Sequence, residues 1–147
     1  MEQVFDDGFF MKKALAEAQI ALDRGEVPVG VVVVGNSSII ARAHNLTEAL
    51  TDVTAHAEMQ AITAAANAIG GKYLHDCTMY VTLEPCSMCA GALYWSQISR
   101  VVFAADDPKR GYRQLGTPLH PKTKVTEGIL ATEAKALLHA FFHQKRN

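Results

Sequence analysis

Thr78-Met79-Tyr80-Val81-Thr82-Leu83-Glu84-Pro85-Cys86-Ser87-Met88-Cys89 changes character half-way along its length. The stretch Thr78–Leu83 is rich in β-branched, aromatic and apolar side chains and reads as a strand. From Cys86 to Ser96 the pattern is helical, with Pro85 just ahead of it, where a missing N–H costs least. Cys86 and Cys89 then stand three apart in the first turn, on one helix face, so both sulfurs can reach one metal ion.

The neighbouring segments alternate between the same two periods. Asp7 is the expected N-cap of a helix running to about Arg24, with Phe10, Ala14, Ala18 and Ala21/Leu22 on one face and Gly25 at the stop. Val29–Val34 is nearly continuous in β-branched residues and reads as a strand buried on both faces. Asn36-Ser37 marks a turn, and Ile39–His44 pairs back as the second strand of a hairpin. An alanine-rich segment from about Thr54 to Ile69 is helical, ending at Gly70-Gly71. Arg100–Ala105 forms a fourth strand, Asp106–Thr123 is turn-rich, Lys124–Thr126 is a short fifth strand, and Ala131–Lys145 is a closing helix. The order α-β-β-α-β-α-β-β-α predicts an α/β fold with three layers, helices on both sides of a mixed five-stranded sheet. With no internal repeat, low-complexity tract or linker, residues 1–147 read as a single domain.

The cysteine pair has a counterpart 30 residues upstream, His56-Ala57-Glu58, at the start of the second helix. One imidazole and two thiolates make three ligands, the number a catalytic zinc uses when it keeps a fourth position for water. Glu58 lies two residues from the histidine, within reach of that water's protons. Helix N-termini aimed at the site favour thiolates and hydroxide there. By residue frequencies His-x-Glu alone arises in roughly one chain in five of this length; joined to Pro-Cys-x-x-Cys the coincidence falls to ~10⁻³ or below. The alternative is a four-ligand zinc staple, for which Cys77, His75 or His44 would supply the fourth ligand. That alternative leaves Glu58 idle.

Composition frames the chemistry. At 147 residues and 49% hydrophobic, the chain is long enough for one well-buried core. An acidic start, Met1-Glu-Gln-Val-Phe-Asp-Asp7, is unlike a secretory signal, and no run approaches the ~18–20 apolar residues of a membrane span. Three cysteines, two in one C-x-x-C, point to metal or redox use in a reducing compartment, the cytoplasm. The net charge of −1 is unevenly spread: residues 1–100 carry 6 Lys/Arg against 11 Asp/Glu, residues 101–147 carry 8 against 4. Lys109, Arg110, Arg113, Lys122, Lys124, Lys145 and Arg146 give the C-terminal third a basic surface suited to phosphates or to solvent.

His-Ala-Glu followed by Pro-Cys-x-x-Cys resembles the signature of zinc-dependent nucleobase deaminases, the cytidine/deoxycytidylate deaminase superfamily. Within it the chain is most similar to bacterial tRNA-specific adenosine deaminases. The likeness runs from about Phe10 to Arg146 and includes Glu26-Val-Pro-Val-Gly30, Thr54-Ala-His-Ala-Glu58, Tyr80-Val-Thr-Leu-Glu-Pro-Cys86, Met88-Cys-Ala-Gly91, Val101-Val-Phe103 and Glu127-Gly-Ile-Leu130. The resemblance implies a cytidine-deaminase-like fold, one Zn2+ per subunit held by His56, Cys86 and Cys89, and Glu58 as proton shuttle. The implied reaction is hydrolytic deamination of the wobble adenosine to inosine, hydroxide from zinc attacking carbon 6. It also implies substrate contacts at Val29, Asn45, the backbone of Ala57, Asp107, Phe142, Lys145 and Arg146, a tRNA anticodon loop as partner, and a homodimer. Asn45 would hydrogen-bond the base and Asp107 a flanking nucleotide; a turn-forming role is open for each. Glu84, before proline, reads as structural, Cys77 as a buried core thiol, and His120, His139 and His143 as surface residues.

Some positions depart from that pattern. Val53 stands where the tRNA enzymes usually have proline, and Pro108–Leu115 differs from their loop and is shorter overall. Tyr94-Trp95 is similar to free-base guanine deaminases, whose C-terminal segment is of a different kind. A guanine deaminase, or another free purine base or nucleoside deaminase, is the second enzymatic reading, and a non-catalytic zinc module the third. Tyr94-Trp95 is expected either at a subunit contact or on a buried helix face.

Overall fold

The computed structural model describes residues 5–145 and contains α1 (Asp7–Asp23), β1 (Gly30–Gly35), β2 (Ser38–His44), α2 (Ala57–Ile69), β3 (Cys77–Leu83), α3 (Ser87–Ser96), β4 (Arg100–Ala105), α4 (Tyr112–Leu115), β5 (Lys124–Glu127) and α5 (Ala131–Lys145). The five strands form one sheet in the order β2-β1-β3-β4-β5. β1 pairs antiparallel with both β2 and β3, whereas β3, β4 and β5 run parallel, so the sheet is mixed as expected. Asn36 and Ser37, both with positive φ, make the tight turn of the β1–β2 hairpin.

Side chains alternate along the central strands and sort into two cores. Val31, Val33, Met79, Val81, Val101 and Phe103 gather with Ala61, Ala65 and Leu93 of α2 and α3. Val32, Tyr80, Val102 and Ala104 gather with Phe10, Met11 and Ala14 of α1 and Ala134 of α5. The sheet is therefore covered on both faces, which is why its central strands read as continuous apolar runs. At Gly30 the backbone of α1 comes so close that a Cβ would lie 2.0 Å from the Ala14 carbonyl oxygen. Only glycine lets that helix dock on that strand.

The N-cap of α1 is Asp6, whose Oδ1 accepts the Phe9 amide at 2.9 Å, and not Asp7. Asp7 is recruited elsewhere. It accepts both guanidinium nitrogens of Arg100 on β4, at 2.8 and 2.7 Å, and the hydroxyl of Tyr80 on β3. The hydrogen bond from Arg100 holds the Asp7 carboxyl below the usual carboxylate range, and burial together with Asp7 pushes Tyr80 up to about 12. Asp7→Asn is expected to lower stability by about 1–3 kcal/mol, because a bidentate charge-assisted pair is lost at partial burial. A depressed folded pKa means the contribution is full above the unfolded value of 3.8 and fades as pH falls through the folded one. Unfolding of the two proteins in urea should thus differ at pH 7 and converge as the pH falls through the lowered folded pKa of Asp7. Among the described residues no helix is long and apolar enough to cross a membrane.

Candidate active site

Two helix starts and the ends of two strands meet at one place. α2 begins at Ala57 with His56 as its N-cap, and α3 begins at Ser87 with Cys86 as its N-cap. His56 and Cys86 therefore sit one position ahead of their helices rather than inside the first turn, and Cys89 lies within the first turn of α3. Asp52 is the cause at α2: its Oδ1 accepts the backbone and hydroxyl of Thr54 at 2.8 and 2.7 Å, and this turn delays the helix to Ala57. Neither His56 nor Cys86 spends its side chain on capping. For α2 that work falls to Asn45, whose Oδ1 accepts the Ala57 amide at 2.9 Å. Asn45 is itself held by the Val29 carbonyl, which takes its backbone N–H at 3.2 Å.

His56 Nδ1 lies 3.6 Å from Cys86 Sγ and 3.5 Å from Cys89 Sγ, and the three donor atoms lie within 4.8 Å of one another. A tetrahedral zinc, about 2.3 Å from sulfur and about 2.0–2.1 Å from nitrogen, would place those atoms about 3.5–3.6 Å apart. The imidazole also donates to the Val53 carbonyl, the kind of outer partner that orients a ligating histidine. The donor set fits zinc. Cys77, His75 and His44 do not join it: Cys77 is a buried core thiol beside Gly35, His75 pairs with Gln97 at 2.9 Å, and His44 faces Glu17 at 3.3 Å. The four-ligand staple thus lacks its fourth protein ligand among the described residues.

As thiols and imidazole the three groups share protons unevenly. The Cys89 thiol donates to Cys86, which draws Cys86 down to about 4 and pushes Cys89 well above the ordinary thiol range. The hydrogen bond with Cys86 raises His56. Glu58, 4% exposed in the first turn of α2, is lifted by burial to about 7, where a carboxyl both gains and loses a proton readily.

The remaining expected site residues are distributed more widely. Val29 and Ala57 are buried next to Asn45, and the Ala57 N–H is the one Asn45 takes. Asp107 lies at the end of β4, with Oδ1 accepting the amides of Lys109 and Arg110 at 3.2 and 3.0 Å, a turn-forming role. Phe142 is exposed on α5, Lys145 ends that helix, and Arg146 lies outside the described residues. Three basic residues are placed differently. Arg113 is bound to Glu84 and Glu127, so its charge is met by two carboxylates of the protein. Lys122 and Lys124 sit at the amino ends of the parallel strands, the far edge of the sheet from Cys86, where Lys122 helps line a cleft with His75, Gln97 and His120. Of the aromatic pair, Trp95 is 77% exposed, which removes the buried-face reading for it, while Tyr94 is half-buried.

The sequence alone assigns no role to three residues that shape the site. Glu26, 1% exposed, accepts the amides of Glu48 and Ala49 and the Thr47 hydroxyl, clamping the loop after Asn45. The amide nitrogen of Gln60 donates to the carbonyls of His44, Ala55 and His56. The Val53 carbonyl orients His56. A charged residue just ahead of the apolar β1 run was the available signal for Glu26; the other two leave none.

With this geometry in view, comparison with known proteins is informative. The zinc-binding region of cytidine and deoxycytidylate deaminases matches residues 5–105. The chain belongs to that deaminase family. A tRNA-specific adenosine deaminase of Bacillus subtilis is 45% identical over 95% of this deaminase and 91% of its own length. A solved tRNA:A34 deaminase, described for A-to-I editing at the wobble position, is 41% identical, covers 88% of this chain and 98% of its own, and superposes with a TM-score of 0.80. A guanine deaminase from Bacillus subtilis is 34% identical with a TM-score of 0.68, covering 78% of this chain and 72% of that one.

Proposed function

We propose that this deaminase converts adenosine to inosine at the wobble position of a tRNA, with one zinc ion per subunit, as a cytoplasmic homodimer. The observation that carries the reading is a buried Glu58 beside a His-Cys-Cys donor set, in a chain with 45% identity to a tRNA-specific adenosine deaminase over 95% of its length. His56 and the sulfurs of Cys86 and Cys89 would hold the metal. When bound, zinc supplies a water whose pKa is lowered from ~15.7 towards ~7. Glu58 takes a proton from water and delivers it to ring nitrogen 1 of adenine while carbon 6 gains the oxygen. It then takes the proton of the new C6 hydroxyl and passes it to the exocyclic amine; the C6–N bond breaks as the C6 carbonyl forms, so that water and adenosine give inosine and ammonia.

Asn45 positions the base. Its oxygen is committed to Ala57, which leaves the amide nitrogen as the donor towards the purine. An adenine inside an anticodon loop must be splayed out to reach Glu58, while its neighbours meet stacking and basic groups. Lys109 and Arg110, exposed beside Asp107, and Phe142, Lys145 and Arg146 serve that purpose. Trp95, exposed at the end of α3, supports the subunit contact.

The second reading, a free purine base such as guanine, is favoured by the 34% identical guanine deaminase and by Tyr94-Trp95. Zinc-loaded protein incubated separately with an arginine tRNA anticodon stem-loop, guanine and adenosine distinguishes the two. Inosine confined to the stem-loop, with apparent affinity falling steeply as salt rises, is the expected outcome. Xanthine from guanine would transfer the assignment to the free base, and no turnover of any of them would return it to a structural zinc site.

A further inference from the structure

Around Glu84 lies a polar network that the proposed reaction does not itself use. The Glu84 side chain is 2% exposed, yet each of its oxygens accepts two hydrogen bonds. Oε1 takes the Asp107 amide at 3.0 Å and Arg113 Nη2 at 3.1 Å; Oε2 takes the Arg113 amide at 3.2 Å and Arg113 Nε at 3.3 Å. The four acceptor positions of an ionised carboxylate are thereby filled. The third guanidinium nitrogen, Arg113 Nη1, reaches Glu127 at the end of β5, and the guanidinium lies 5.0 Å above the Phe103 ring. Arginine is required here as a fork, since the three contacts use three different nitrogens.

The loop bound by this carboxylate presses on the cysteine segment. Gly111 forms an antiparallel bridge with Cys86, and the Tyr112 amide donates to the Pro85 carbonyl at 2.8 Å. A Cβ on Gly111 would fall 2.2 Å from Glu84 Oε2 and 2.6 Å from the Asp107 carbonyl, so there is no slack between loop and carboxylate. The same loop carries Asp107, Lys109 and Arg110, the exposed polar edge beside the site.

We infer that Arg113, acting through Glu84, is a positioning residue: it holds the 107–111 loop against Pro85-Cys86, so that this wall of the site is built before substrate arrives. The proposal rests on the RNA deaminase reading for its kinetic readout and on the fold alone for its structural one. Without Arg113 the Glu84 charge remains buried without its cation, and the loop loses its anchor.

The test uses zinc-loaded full-length protein with Arg113→Met and Arg113→Lys, assayed on the anticodon stem-loop at several salt concentrations and followed by amide hydrogen exchange. The expected result is a loss of at least tenfold in kcat/KM for both variants, with exchange of the backbone amides at positions 111 and 113, which donate to the Asp107 carbonyl and to Glu84, accelerated tenfold or more. The dependence of log KM on log salt should keep its wild-type slope. A phosphate contact behaves differently: the slope becomes shallower by about 0.7–0.9, and Arg113→Lys retains most activity because lysine supplies the same charge. That result, with unchanged exchange at Gly111, would overturn the proposal. Should Arg113→Met fail to fold, Arg113→Lys, which keeps the charge and the aliphatic stem, carries both readouts. If wild-type protein makes no inosine, the RNA reading fails, and loop exchange in the two variants still decides the clamp.

Discussion

Glu58→Gln, loaded with zinc, is expected to bind metal at wild-type stoichiometry and to lose about 10³- to 10⁴-fold or more in kcat, with KM moving little. The side chain donates no ligand atom to the His56-Cys86-Cys89 group, so metal content should be untouched. What disappears is, among the described residues, the only carboxyl lifted into the neutral range, the group asked to move two protons in sequence. The substitution keeps shape and volume, so the loss cannot be attributed to a cavity at a position 4% exposed. Stability should move the other way. In protein stripped of metal, the Glu58 pKa is raised by burial from 4.5 to about 7, so the unfolded chain ionises first and stability declines as pH rises between those values. The decline amounts to at most about 3–4 kcal/mol, at about 1.36 kcal/mol per unit. Glu58→Gln lacks that decline and should be the more stable protein at pH 8 and no more stable at pH 4. Urea titrations at the two pH values, beside a single-turnover assay at pH 7, check both halves. Activity within tenfold of wild type in a zinc-loaded variant would remove Glu58 from its role.

How far the sequence could be read depended on whether the information was local. β4 and α5 matched their expected bounds because each is a regular run with its own period: Arg100–Ala105 is apolar after its first residue, and Ala131–Lys145 alternates over more than four turns. The start of α2 was placed three residues early because alanine-rich periodicity extends back through Thr54, while the stop signal is a side-chain turn at Asp52 that propensity does not register. α4 has four residues, fewer than one period needs to declare itself. The donor set was legible because His56, Cys86 and Cys89 carry their chemistry in their identities and spacing. Its supports were not. Glu84 meets Arg113 across 29 residues and Glu26 meets Ala49 across 23, and a buried carboxylate looks the same in sequence whether its partner is an arginine or a row of amides. Arg113 shows the cost: counted by charge it belongs to a phosphate surface, and counted by contacts it belongs to the carboxylates of Glu84 and Glu127.

Cys89→Ala should abolish stable zinc binding, leaving well below 0.1 equivalents after dialysis where wild-type protein retains about one, and deaminase activity should vanish with it. Cys89 is fully buried and its sulfur lies 3.5 Å from His56 Nδ1, so no water can replace it without opening the core of α3. At a thousandfold excess of zinc over its dissociation constant, wild type gains about 4.1 kcal/mol of stability, a gain the variant lacks. Protons report the same event. Cys86, drawn down to about 4, is already a thiolate at pH 7; Cys89, pushed far up, is a thiol; and His56 is raised by Cys86. Zinc uptake at neutral pH must therefore expel the Cys89 proton and part of the His56 proton. Affinity in wild type should rise about tenfold or more for each pH unit between about 6 and 8, and calorimetry in buffers of different ionisation enthalpy should count one to two protons released. Zinc retention by Cys89→Ala, or uptake in wild type with no proton release, would place the metal on a different set of ligands.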